Sequence, residues 1–139
     1  RCGADIPYVR KIFRDDMDSY RAKAAIISGA EVYHDHYAIA KGDGMQIESP
    51  TIIGAQAANE LLNILGVRAS VVLTSYKGQT YVSARAIDEV NVQVIMEKMG
   101  GGGHLNVAGC QLSECSVMQA KNIIQEILNK MISEGDIEV

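Results

Sequence analysis

The chain has 139 residues, 47% of them hydrophobic and 22% charged, with a formal net charge of −4 at pH 7. This length suits one domain whose core holds without disulfides or metal clips, and the composition excludes a disordered or low-complexity chain. The acidic balance argues against a nonspecific duplex-binding surface, which needs a Lys/Arg stripe, but it is compatible with a small phosphorylated ligand held by a few placed donors.

Taken in chain order, Asp5 is a helix cap with Pro7 in the first turn, and Val9, Ile12, Phe13, Tyr20, Ala24 and Ile27 recur at helical spacing up to a terminating Gly29. A short strand is expected at Tyr37 to Ala40. A second helix is expected from Ser49-Pro50 to Gly66, with Ile53, Ala57, Leu61 and Leu65 on its inner face. The stretch RASVVLTSYKGQTYVSAR reads as two alternating strands joined by a tight turn at Lys77-Gly78. Asn91 then caps a third helix whose Val92, Ile95, Met96 and Met99 form one apolar stripe, expected in the core rather than at an interface, with Gly100 as its left-handed terminator. A strand at about Cys110 to Leu112 leads into Ser116-Val117-Met118-Gln119, a capping-box pattern. The last helix turns Ala120, Ile124, Ile127 and Met131 inward and ends near Ser133. The expected fold is a single α/β domain, a central mixed β-sheet with helices packed on its faces.

Cys2, Cys110 and Cys115 are odd in number and lack metal-ligand spacing, which points to reduced thiols in a cytoplasmic setting. No apolar run approaches the roughly 20 residues of a membrane span, so no membrane contact is expected of this segment. The first residues show no signal-peptide pattern. The chain opens on Arg1 rather than Met, which suits a segment of something longer.

Two polar constellations stand out. Gly100 to Gly103 directly precede His104, and each glycine costs chain entropy on folding. Gly100 is explained by helix termination. The other three make a flexible turn, or else a row of bare N–H groups that converge on an anion and let a ligand approach the backbone. His104 is correspondingly a hydrogen-bonded structural residue or the lip of such a pocket. Upstream, Ser83 and Arg85 stand two residues apart on one strand face. Arg85 is either a solvated edge arginine or a phosphate fork, with the Ser83 hydroxyl adding a third contact.

The segment YVSARAIDEVNVQVIMEKMGGGGHL resembles the C-terminal DHH-associated domain of the DHH-family phosphoesterases, with its Gly-Gly-Gly-His motif followed by Ala-Gly. Within that family it is most similar to the bacterial membrane-anchored cyclic-di-AMP phosphodiesterases, and the likeness extends over about residues 5 to 132. The resemblance implies that residues 1–139 are the substrate-binding DHH-associated domain of a longer enzyme. Gly101, Gly102, Gly103 and His104 would form the nucleotide-binding loop, and Ser83 and Arg85 the pair facing the phosphate. The relatives usually continue Leu-Thr-Asn-Ala-Ala-Thr-Gln where this chain reads Leu105-Asn106-Val107-Ala108-Gly109-Cys110-Gln111, so Val107 replaces an amide side chain.

The resemblance further implies hydrolysis of cyclic-di-AMP to linear pApA by two manganese ions held in a separate DHH domain. No metal and no catalytic residue are then expected within this chain. His34-Asp35-His36 is the only clustered Asp/His set, and it is expected to be a solvated turn rather than a metal site. The implied partners are a cyclic dinucleotide or short oligonucleotide, the DHH domain of the same parent, and a second copy in a homodimer. The parent would be anchored in a bacterial membrane with this domain on the cytoplasmic side. The alternative is a module that binds nucleotides or single-stranded ends in an oligoribonuclease or exonuclease of the same family.

Overall fold

The computed structural model describes residues 17–42, 50–87, 90–104 and 106–134. The proposed cap at Asp5, the first turns of the first helix and Cys2 lie outside these residues. The described chain runs α1 (Met17–Ser28), β1 (Glu31–Tyr33), β2 (Tyr37–Gly42), α2 (Pro50–Leu61), β3 (Ala69–Tyr76), β4 (Gln79–Ala86), α3 (Val92–Glu97), β5 (Gly102–Gly103), β6 (Val107–Ser113) and α4 (Val117–Ser133). The strands form one mixed sheet in the order β1-β2-β3-β4-β6-β5. β2 and β3 are parallel, joined by the crossover through α2, and the other neighbours are antiparallel.

Local chemistry accounts for most boundaries. Lys77 (φ +51°) and Gly78 (φ +78°) make a two-residue turn with both central residues left-handed. That geometry matches the twist of the flanking strands and aligns Tyr76 with Gln79. The Asn91 side chain accepts from the Val94 N–H at the start of α3. At its end Gly100 takes φ +86°, while the N–H groups of Gly100 and Gly101 donate to the carbonyls of Glu97 and Met96, the paired bonds of a Schellman stop. Ser116 and Gln119 satisfy each other's backbone at 3.1 and 2.8 Å, as a capping box requires.

Two apolar cores lie on opposite faces of the sheet. The larger joins Tyr37, Ile39, Val71, Leu73, Val82 and Ala84 to Ile95 and Met96 of α3 and to Val117, Ile124, Leu128 and Met131 of α4. The methionines of the α3 stripe are thus core residues. The smaller core packs Ile26 of α1 and Ile53, Ala57, Ala58 and Leu61 of α2 against Ala38, Ala40 and Val72.

Three expectations need correction. The second helix stops at Leu61 instead of Gly66, because Leu62, Asn63 and Ile64 form tighter i→i−3 bonds to Asn59, Glu60 and Leu61. This removes Leu65 from the helical period, and it is fully exposed instead of inward-facing. In the described part of α1 the buried position is Ile26, whereas Tyr20 and Ala24 face outward. The last strand is longer than expected, Val107–Ser113, and β1 and β5, at three and two residues, are too short to show a sequence period.

Candidate functional site

The face of the sheet that carries α1 and α2 is covered only in part. Over β3, α2 closes the surface: the Ser70 hydroxyl donates to the Ala58 carbonyl at 2.6 Å, and Gly54 lies so close to Thr74 that a Cβ there would stand 3.3 Å from its methyl group. Ser70, Val72 and Thr74 are buried beneath it. Strand β4 alternates buried and part-exposed residues. Val82, Ala84 and Ala86 enter the larger core, so Tyr81, Ser83 and Arg85 stand on the opposite face, where α2 also packs along β4 and leaves β6 and β5 beyond it more open.

Register then determines what adjoins them. Ser83 pairs with Gly109 and Gly109 with Gly102, making one row across three strands. Arg85 pairs with Val107, and the His104 N–H donates to the Val107 carbonyl at 2.6 Å, so Arg85, Val107 and His104 occupy the next row. On the other side, Tyr81 pairs with Gln111. Residues separated by up to 30 positions in sequence, Tyr81 and Gln111, are therefore neighbours on one surface. Its middle row is bare backbone apart from the Ser83 hydroxymethyl group.

The glycines in this surface serve different ends. A Cβ on Gly101 would fall 2.2 Å from the Gly109 carbonyl and 2.4 Å from the Cys110 Cβ, and one on Gly103 (φ +144°) would fall 2.4 Å from the Val107 carbonyl. Both are required by packing against β6. A Cβ on Gly102 would meet nothing within 4 Å, so the fold does not demand glycine there. Of the two readings left open for Gly101 to Gly103, a nest of three converging N–H groups is not built: the Gly101 N–H donates to the Met96 carbonyl, and Gly102 and Gly103 extend as β5.

Arg85 is not the solvated edge residue that one reading of the sequence allowed. Its strand lies between β3 and β6, its side chain is partly buried, and its Nη1 donates to the Ala84 carbonyl at 2.9 Å. Burial holds the guanidinium below its usual pKa, so its charge is incompletely solvated and available to an anion. His104 is exposed. Asn106 ties the loop to the end of β4, accepting from the Ala86 N–H at 3.0 Å and donating to the Val90 carbonyl.

His34-Asp35-His36 forms the turn between β1 and β2, with His34 and Asp35 at φ +52° and +68°. His34 Nε2 contacts Asn129 Oδ1 at 2.7 Å and His36 Nδ1 contacts the Gly66 carbonyl at 3.0 Å, so the two rings serve separate structural bonds. Among the described residues no three His, Cys, Asp or Glu side chains come together as a metal site. Cys110 and Cys115 are free thiols. Burial, with a smaller effect from Cys115, pushes the Cys110 thiol up to about 11, so it is protonated at neutral pH and a poor nucleophile.

Sequence reasoning overlooked Gly109, Tyr81, Gln79 and Gln111. Gln111 Nε2 donates to Gln79 Oε1, and the Tyr81 hydroxyl donates to the same oxygen at 3.3 Å. The alternation of β4 would have placed Gln79 and Tyr81 on the Ser83–Arg85 face, but nothing local announces that β6 brings Gln111 beside them.

Known proteins with this chain's features agree on its kind. The family model described as the DHHA1 domain matches residues 37–133. The chain is 40% identical over 127 residues to the cyclic-di-AMP phosphodiesterase PdeA of Listeria monocytogenes, covering 90% of this chain and 19% of that protein. It is 40% identical over 134 residues to the cyclic-di-AMP phosphodiesterase GdpP of Geobacillus thermodenitrificans, covering 96% and 20%. It thus spans about a fifth of the length of these relatives. Among solved structures, an exopolyphosphatase-related protein from Bacteroides fragilis superposes with a TM-score of 0.77 at 21% identity, over 88% of this chain and 37% of that one. The C-Ala domain of Aquifex aeolicus alanyl-tRNA synthetase superposes at 0.53 with 18% identity, over 71% and 96%. These two show a shared fold. With a mixed sheet of the same architecture and a family match over most of its length, the chain belongs to the DHHA1 domain family.

Proposed function

We propose that this chain is the substrate-binding domain of a longer, metal-dependent cyclic-dinucleotide phosphodiesterase that opens cyclic-di-AMP to linear pApA. The observation that carries this reading is the bare row Ser83–Gly109–Gly102, open above Gly102 and flanked by a partly desolvated arginine. A flat strip of backbone admits a nucleotide closely. Arg85 offers a phosphate a charge-assisted fork, the Ser83 hydroxyl adds a donor, and His104 stands at the rim. The names of the relatives supply the substrate class.

On this reading Ser83, Arg85, Gly101, Gly102, Gly103 and His104 hold the nucleotide and do not cleave it. The two manganese ions and the attacking water belong to a DHH domain elsewhere in the parent, where the metals would activate the water and clamp the displaced oxygens. The parent is proposed to be membrane-anchored with this domain in the cytoplasm, and a homodimer is compatible with the exposed helix faces. No helix among the described residues is long and apolar enough to cross a membrane.

Two measurements on the purified chain test the proposal. With manganese it should leave cyclic-di-AMP intact. In a nuclear magnetic resonance titration it should still bind cyclic-di-AMP and pApA weakly, in about the high micromolar to millimolar range expected for a few hydrogen bonds and base packing without metals. Shifts should concentrate at residues 83–85 and 100–109. Equal shifts with sulfate would reduce the site to a generic anion contact, and robust turnover that vanished in a His34→Ala/His36→Ala variant would overturn the division of labour.

A further inference from the structure

On the same face of the sheet, beside α2, the row beyond Ser83–Gly109–Gly102 holds part-buried Tyr81 and exposed Gln111, which face each other across β4 and β6. Gln79 lies one step further along the same face of β4. Four residues at roughly 3.3 Å each separate the Arg85 row from the Tyr81 row, about 13 Å, with the bare row between them. A nucleotide whose phosphate meets Arg85 can therefore lie along the glycine strip and bring its base to Tyr81 and Gln111.

Chemistry at that end is directional. The Gln79 carbonyl oxygen accepts from both Gln111 Nε2 and the Tyr81 hydroxyl, which occupies its two lone pairs. Gln111 is thereby held with one N–H spent on Gln79, which leaves its own carbonyl oxygen and second N–H on an exposed side chain. With the Gln79 carbonyl oxygen as the acceptor, turning the Gln111 amide alone would set two carbonyl oxygens against each other and forfeit the bond. The remaining pattern is an acceptor beside a donor. Adenine presents the complement, an amino donor at N6 beside the N7 acceptor, whereas guanine presents two acceptors, O6 and N7. The Tyr81 ring supplies an aromatic surface of the kind on which bases stack.

We propose that Gln111, oriented by Gln79 and backed by Tyr81, is the base-reading residue of this site and selects adenine over guanine. The inference rests on the nucleotide-binding reading above and deepens it by assigning the specificity to named side chains. Gln79 acts through Gln111 and is a positioning residue.

The test compares the affinities of cyclic-di-AMP and cyclic-di-GMP for the chain and two variants by nuclear magnetic resonance titration. The wild type should favour cyclic-di-AMP by about tenfold, the usual worth of one good amide-to-base pair. Gln111→Ala should weaken cyclic-di-AMP by about that factor, leave cyclic-di-GMP unchanged and bring the ratio close to one. Gln79→Met should release the amide to turn, weakening cyclic-di-AMP several-fold while leaving cyclic-di-GMP, which meets one donor and one opposed oxygen in either orientation, unchanged, so that the ratio narrows. A ratio that survives Gln111→Ala overturns the assignment while dinucleotide binding itself stands. A ratio untouched by Gln79→Met overturns the orienting lock. Failure of the wild type to bind either dinucleotide overturns both this inference and the functional reading beneath it.

Discussion

One face of the sheet has two halves built by the same strand alternation and used in opposite ways. Under α1 and α2, the residues of β2 and β3 are small or apolar, Ala38, Ala40, Ser70, Val72 and Thr74, all buried. One strand further on, the equivalent positions hold Tyr81, Ser83 and Arg85, and beyond them Val107, Gly109 and Gln111, none fully buried. The site arises along the edge of α2, which packs on both β3 and β4, with no specialised loop required. A polar, glycine-floored strip is stable there because its underside, Val82, Ala84 and Ala108, is anchored in the larger core.

The sharpest way to break this contrast is to disturb the floor itself. Gly101→Val would drive its side chain into the Gly109 carbonyl and Cys110. Overpacking against backbone should cost on the order of 3 kcal/mol, read as a lowered urea midpoint, with binding lost alongside. Gly102→Val should separate the two roles. It meets open space, so stability should stay within about 0.5 kcal/mol of wild type, while nucleotide affinity falls further than in any single side-chain deletion at the site. If binding survives Gly102→Val, the strip is not where the ligand lies.

Arg85→Ala should follow in size, losing about ten- to a hundredfold in affinity, the worth of a charge-assisted contact of about 1.5–3 kcal/mol. Because burial already disfavours its charged form, Arg85→Leu should retain stability and still lose binding. A large drop in melting temperature for Arg85→Leu would make the arginine a structural residue.

The smallest effect is expected far from the strip. Lys121 is nearly buried and donates to exposed Glu31. That hydrogen bond, followed by the Lys121 charge, lowers the Glu31 pKa from its ordinary 4.5. A depressed carboxylate stabilises the fold above its unfolded pKa and loses that contribution as pH falls through the folded value. Glu31→Gln should therefore be slightly less stable than wild type at neutral pH, and the two should converge in acid, as urea melts at both conditions would show.

Much of this architecture was legible because its signals are local. The Lys77-Gly78 turn, the Asn91 cap, the Gly100 stop and the Ser116 capping box each need only a few adjacent residues, and each stands where the sequence put it. The Ser83–Arg85 face followed from strand period alone. What escaped depends on register between distant strands. No local rule says that Gly109 will lie beside Ser83, or that Gln111 will meet Gln79, since those pairings span the whole of α3 and the glycine segment. The glycines misled in a similar way: Gly100 ends the helix as read, but Gly101 and Gly103 also make room for β6, and Gly102 alone is a glycine that the fold does not demand. Leu65 fitted the period of α2 and lost it when the helix tightened after Leu61.

The pairing of β2 with β3 through a long crossover, against the two-residue link between β3 and β4, bears on the order of assembly. Contacts closed by short loops form sooner than those that must first recruit a distant strand. The β3–β4 hairpin, later joined by β6 and backed by α4, can therefore exist as a cooperative unit before β2 and the α1–α2 layer dock. The same hierarchy runs in reverse during partial opening. Amide exchange should be fastest in α1 and α2 and slowest in β3 and β4, so that the binding strip outlasts the layer beside it.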